Sequence, residues 1–178
     1  LLLDLDDLKV VNDNEGHPAG DRLIVGMANA IRDTLRYGDR AFRIGGDEFA
    51  VILPHTDADD GLVAANRLRH FCLRPSAGER VIPFSGGISS VPQLAAERNE
   101  LFRQADAALY RCKRGGRGTV AVFDPDRDLV PEEPNAAGSA TAVRDIVRAR
   151  NLTPVYQPIV DLRDGTVLGF EGLIRPGA

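Results

Sequence analysis

Arg43-Ile44-Gly45-Gly46-Asp47-Glu48-Phe49-Ala50-Val51 sets two glycines and two adjacent carboxylates inside an alternating apolar pattern. Phe42 and Ile44 alternate with polar or small neighbours before the group, and Phe49, Val51 and Leu53 do so after it. This predicts two strands, over about Ala41 to Leu53, joined by a tight turn in which Gly45 and Gly46 supply positive φ. A turn that only reverses the chain has no need of Asp47 beside Glu48. Adjacent carboxylates repel and are tolerated best in solvent or on a cation. On this segment alone, a solvated acidic tip and a cation site are equally open.

A second acidic group starts the chain. Leu1-Leu2-Leu3-Asp4-Leu5-Asp6-Asp7-Leu8-Lys9 reads as a buried strand that runs directly into carboxylates. Ligands in α/β and α+β sheets sit beyond strand ends, which places Asp4 for chemistry. An Asp inside an apolar strand is unfavourable unless paired, and a divalent cation is a suitable partner. No glycine follows at the sixth position, so the helix-loop-helix calcium pattern does not fit. Magnesium held by carboxylates plus substrate phosphates fits better than an all-protein cage.

The 178 residues suffice for one domain and part of another, and 43% hydrophobic content supports a core. A net charge of −4 disfavours a nucleic-acid partner. No apolar run reaches the roughly 20 residues that span a bilayer, so no membrane contact is expected from this fragment. Cys72 and Cys112 lie apart in predicted helices without metal-ligand spacing. They read as reduced core residues of a cytoplasmic protein. The chain starts inside a strand and stops soon after one, as a piece of a longer protein would.

Helical spacing recurs at Leu23, Ile24, Met27, Ala28, Ile31 and Leu35, again at Leu62 to Cys72, and again at Leu101 to Cys112. Strands are expected at Leu1 to Leu5, within Val81 to Val91 and at Thr119 to Phe123. The polar stretch from Asn12 to Gly20 reads as a loop, after a helical turn at Leu8 to Val11. The order strand, helix, hairpin, helix, strand, helix, strand predicts an α+β fold with a mixed central sheet flanked by helices. Residues 125–141 turn to Pro, Glu, Asn, Ala, Gly and Ser, the composition of a linker. A helix is then expected near Thr141, followed by a hairpin over Val155 to Leu162 and Val167 to Ile174 with Asp164-Gly165 at its turn.

Residues 1–124 resemble a GGDEF domain, the catalytic module of diguanylate cyclases. The resemblance rests on Asp4-Leu5-Asp6 ahead of Lys9, Val11-Asn12-Asp13, Gly16-His17, Gly20-Asp21, Gly45 to Phe49, and Ala108-Leu109-Tyr110 leading into Lys113 and Gly116-Arg117. It implies the palm-like fold of polymerases and nucleotidyl cyclases. It also implies a reaction in which two GTP molecules, one per subunit of a homodimer, close cyclic di-GMP and release pyrophosphate. Asp4, the Leu5 carbonyl, Asp47 and Glu48 are then the expected ligands of Mg²⁺ (or Mn²⁺). Two such ions, about 3.5–4 Å apart, would bind the attacking and departing oxygens. The family gives the base role to the first acidic position, here Asp47, with a metal-activated hydroxide as the alternative to Asp47 or Glu48.

The same resemblance assigns Asn12 and Asp21 to guanine, and Lys9, Lys113 and Arg117 to the triphosphate. The plainer readings are Asn12 in a loop turn, Asp21 as a helix N-cap, and solvated cations. Backbone N–H groups around Asp6 to Leu8 could cradle phosphate. Arg36 and Asp39, joined by Arg67, match a site at which the product, cyclic di-GMP, inhibits; an ordinary surface ion pair is the default for such a spacing. His17 is expected to be structural and His55 and His70 exposed. Ser85, Ser89 and Ser90 have no nearby base to make them nucleophiles.

Residues 142–178 resemble the truncated start of an EAL domain, an α/β-barrel cyclic di-GMP phosphodiesterase, with Glu171 at its signature glutamate and Gly172 where Ala is usual. Gly118 likewise replaces a usual Asn, and the family's leading helix would precede Leu1. The expected activity is diguanylate cyclase with product feedback. The alternative is a non-catalytic GTP-binding module that regulates an adjacent phosphodiesterase.

Overall fold

The computed structural model describes residues 1–74, 80–130 and 152–176. Strand β1 (Leu2–Leu5) is followed by helices α1 (Leu8–Glu15) and α2 (His17–Thr34). Then come strands β2 (Arg40–Arg43) and β3 (Glu48–Ile52), helix α3 (Ala58–Leu73), strand β4 (Phe84–Ile88), helix α4 (Arg98–Arg114) and strand β5 (Val120–Val122). Strands β6 (Leu152–Asp161) and β7 (Val167–Pro176) complete the order. One mixed sheet runs β5-β4-β1-β3-β2-β6-β7, parallel only between β4 and β5. This is the α+β architecture that the sequence predicts.

Strand alternation sorts the chemistry from the core. Leu3, Leu5, Phe49, Val51 and Phe84 point to one face and are buried with Leu8, Val11, Leu23, Met27, Ile31 and Leu68 of the three helices α1 to α3. Leu2, Asp4, Glu48 and Ala50 occupy the alternate positions and share the opposite face, where α4 lays Ala105 and Leu109 on Leu2. α4 can lie this close because β4 offers Gly87. A Cβ there would strike the Ala105 carbonyl oxygen and the Leu109 nitrogen. That absence of a side chain sets the height of α4 above the sheet.

Three local expectations change. The stretch from Asn12 to Gly20 is not a loop: α1 runs through Asn12 to Glu15, only Gly16 (φ +82) interrupts, and α2 begins at His17 with Pro18 in its first turn. Leu8, Val11 and Ala19 bury enough apolar surface to override the polar composition. Asp21 consequently lies inside α2 and not at its N-cap, which is Gly16. Gly45 and Gly46 do not take positive φ. A Cβ at Gly45 would meet the flexible end of the Glu48 side chain, at 2.5 Å from Oε2, and would displace that carboxylate.

Contacts of α4 also reach beyond β5. Arg111 grips the fully buried carboxylate of Asp128, with Nε–Oδ1 at 2.5 Å and Nη2–Oδ2 at 3.0 Å, so packing continues past residue 124. The hairpin of β6 and β7 does not stand apart from the sheet. It extends it, with Phe42 opposite Asp161 and Arg43 opposite Val160. Its turn has Gly165 at φ +75, as the Asp-Gly pair predicts. The helix expected near Thr141 lies outside the described residues.

Candidate active site

The two acidic groups meet because β1 lies beside β3. Asp4 stands directly opposite Glu48 across the antiparallel pair, and the Leu5 N–H donates to the Asp47 carbonyl at 3.0 Å. Arg43 fixes the turn itself. Its guanidinium donates to the Gly45 carbonyl (3.1 Å) and the Gly46 carbonyl (2.7 Å), so the acidic pair sits on a braced loop. Asp4 is 5% exposed, whereas Asp47 is half-buried and Glu48 faces solvent.

Lys113, in the last turn of α4, donates from Nζ to Asp4 Oδ2 at 2.6 Å. Burial pushes the Asp4 carboxyl above its ordinary range; the Lys113 contact opposes this, and the Asp47 and Asp6 charges reinforce it. Glu48 is raised by partial burial first, then by Asp4, Asp47 and Asp106. One ammonium therefore does not balance the carboxylates gathered here. Among the described residues, no three His, Cys, Asp or Glu side chains close into a cage of their own. The donors are all hard oxygens in charge surplus, which fits magnesium or manganese held partly by a substrate's phosphates.

Beside this group α1 starts at Leu8, after Asp7 in the left-handed region (φ 59), with no side chain capping its first N–H groups. A helix start of this kind presents free donors to an anion. Lys9 is exposed on its first turn, one turn before Asn12. The Oδ1 of Asn12 is buried without a hydrogen-bond partner. It lies hard against Gly20, where any Cβ would collide with it. Asn12 thus packs against Gly20 across the α1–α2 contact, and the next residue, Asp21, is exposed.

Arg117 (φ 64) reaches back to Asp7, Nη1 to Oδ1 at 2.8 Å, and so closes the same edge. Asp6 has a role that sequence reasoning missed. It is buried and accepts from Ser85 Oγ (2.9 Å) and the Gly118 N–H (2.9 Å), tying β1, β4 and the loop after α4 together. Nothing local announces a contact across 112 residues. Asp106 was also missed, although its spacing of four to Tyr110 and seven to Lys113 marks a single helix face.

Arg36, Asp39 and Arg67 gather at the other end of α2. Asp39 is 5% exposed and accepts from the Arg36 N–H (2.9 Å), while the Arg36 guanidinium lies 3.7 Å away and donates to Thr56 Oγ1 at 2.8 Å. Arg67 donates to the Thr34 carbonyl at 2.8 Å. Asp39 is first a turn-forming acceptor, and Arg36 the exposed arm. Ser89 and Ser90 donate to Gln104 and Gln93, whereas Ser85, contrary to expectation, has a carboxylate beside it in Asp6; its hydroxyl is fully buried and closed to a substrate. His17, His55 and His70 are exposed, and Glu171 is exposed on β7 opposite Gln157. A groove among the described residues lies further along the α4 face, lined by Leu2, Ile44, Ala50, Leu53, Leu101 and Phe102. It is mainly apolar, with Arg98 as its one arginine and no lysine, against the several cations that bind a triphosphate.

A family model described as diguanylate cyclase, GGDEF domain, matches residues 1–119. The bifunctional diguanylate cyclase/cyclic di-GMP phosphodiesterase MucR of Pseudomonas aeruginosa is 34% identical over 98% of the chain, which spans 26% of MucR. The cyclic di-GMP phosphodiesterase NbdA of the same organism is 33% identical over 98% of the chain, which spans 22% of that protein. The chain thus spans about a quarter of the length of these curated relatives. The GGDEF domain of PA1120 (YfiN or TpbB) from P. aeruginosa superposes with a TM-score of 0.65 at 35% identity, over 69% of this chain and 80% of that one. The GGDEF domain of DgcB from Caulobacter crescentus, solved in complex with c-di-GMP, gives 0.60 at 34% identity over 68% of this chain and 75% of that one.

Proposed function

Because the chain belongs to the GGDEF, diguanylate cyclase, family, we propose that it condenses two GTP molecules into cyclic di-GMP as a homodimer with facing sites. The observation that carries this reading is the Asp4–Glu48 cross-strand pair, fixed to Asp47 by the Leu5 N–H and faced by Lys113. In-line attack of a 3′-hydroxyl on an α-phosphate needs alignment and charge neutralisation more than covalent help from protein. Asp4, Asp47, Glu48 and the Leu5 carbonyl would hold Mg²⁺, whose chemistry when bound is to neutralise phosphate charge and acidify the hydroxyl.

The protein's own groups do the rest. Asn12 and Asp21 would receive the guanine edge; a carboxylate accepting from its N–H groups rejects adenine. Lys9, the α1 N–H groups, Lys113 and Arg117 would bind the triphosphate. Asp47, half-buried on the braced turn, would accept the hydroxyl proton. Arg36, Asp39 and Arg67 would bind product and hold two domains apart. Residues 142–178 would begin a phosphodiesterase domain with Glu171 among its metal ligands.

A second reading is favoured by NbdA, a relative named only as a phosphodiesterase although the match takes in nearly all of this chain. In that reading the domain binds GTP without turnover and regulates its neighbour. Incubation with GTP and Mg²⁺, followed by nucleotide chromatography, separates the two. Cyclic di-GMP that disappears in Asp47→Ala supports synthesis. Tight GTP binding without product replaces it with the regulatory reading.

A further inference from the structure

Asp4 gives its carboxylate to a lysine, yet it is also the residue on which a cation would have to sit. The contact at 2.6 Å joins a lysine side chain that is 36% exposed to an aspartate side chain that is 7% exposed. An ammonium at this distance competes with a cation for that oxygen, because like charges repel. Lys113 carries its charge on a flexible four-carbon stem at the last turn of α4, just ahead of Gly116 at φ +117. Four residues further along the chain, Arg117 reaches Asp7 at the start of α1, where the cyclase reading puts the nucleotide's phosphates.

We propose that Lys113 is a positioning residue that exchanges partners: it holds Asp4 until a divalent cation takes that oxygen, and is then released to the phosphates of the nucleotide. Cation and nucleotide consequently bind as a coupled pair, each favouring the other through one lysine. This rests on the cyclase reading for the identity of the nucleotide, but the exchange itself is read without turnover. Coupling of this kind is reciprocal: whatever the nucleotide adds to cation affinity, the cation adds to nucleotide affinity.

The test is titration of the 178-residue chain with Mn²⁺ alone, followed by electron paramagnetic resonance. Lys113→Met keeps the apolar stem and removes the competing charge. It is expected to bind Mn²⁺ about tenfold more tightly than the parent, the size of one charge-assisted hydrogen bond. Arg114→Ala removes an equal charge from the same helix end, where Arg114 lies over the Tyr110 ring. Its change should stay below about twofold, the size of a screened surface effect. Adding Asp4→Asn to Lys113→Met should abolish the gain. With a non-hydrolysable GTP analogue present, the analogue should enhance Mn²⁺ affinity less in Lys113→Met than in the parent. Unchanged or weaker Mn²⁺ binding in Lys113→Met, an equal gain in Arg114→Ala, or a gain that survives Asp4→Asn would each overturn the exchange. Failure of the cyclase reading would show differently, as absence of cyclic di-GMP with the Mn²⁺ pattern intact.

Discussion

Glu48 stands at a position where ionisation is opposed by partial burial and by Asp4, Asp47 and Asp106. Asp4 shares the same penalty, softened by Lys113. Both carboxyls titrate above their ordinary range, so in the window up to the raised values the folded chain binds more protons than the unfolded one. By linkage these groups favour the fold at the acidic end of the window, and that contribution is lost as pH rises through it. Glu48→Gln should therefore melt at a higher temperature than the parent at neutral pH, with the gap closing toward acid, while cyclic di-GMP formation falls. Thermal melts across that pH range check this. An equal or lower melting temperature for Glu48→Gln at neutral pH would contradict it. Residues that make the site useful are thus the ones that make it less stable.

Among the elements, α4 matters most, since it carries Lys113 to Asp4 and stacks Ala105 and Leu109 over β1. Its seat is Gly87. Gly87→Ala would push a methyl into the α4 backbone and should cost about 1–3 kcal/mol or more, with weaker GTP binding because Lys113 moves. Urea unfolding together with nucleotide titration measures both effects; a variant with parental stability would remove Gly87 as the determinant of α4 placement. The helices and strands were largely legible. Leu101, Ala105, Leu109 and Cys112 show the helical period, and Phe49, Val51 and Leu53 the strand period. α1 was hidden because Asn12, Asp13, Asn14 and Gly16 have the composition of a turn, and only the burial of Leu8 and Val11 decides otherwise. At the site, Asp4, Asp47 and Glu48 could be read because carboxylates interrupt apolar strands. The clasp of Asp6 to Ser85 and Gly118 could not, since no sequence period spans such distances.

At the scale of the whole molecule, the described residues contain no helix long and apolar enough to cross a membrane. They hold one acidic centre, whereas joining two nucleotides into a ring needs two. The specific rate of product formation should therefore rise with protein concentration and then level off as dimers fill. Added cyclic di-GMP should lower that plateau in the parent and not in Arg36→Ala, whose exposed guanidinium is free to be lost without unmaking the Asp39 turn. Rates measured over a dilution series decide this: a specific rate independent of concentration rules out the facing-site dimer, and inhibition that persists in Arg36→Ala removes the product site from that turn.

The hydrogen bond from the Leu5 N–H to the Asp47 carbonyl reaches further than its 3.0 Å. It rivets the acidic hairpin to the neighbouring strand, so the floor of the site has no door of its own to swing. If the chain works as the proposed facing-site dimer, its output would be governed by how often two copies collide in a productive orientation, and an input that alters that encounter frequency would act as a volume control without touching the chemistry.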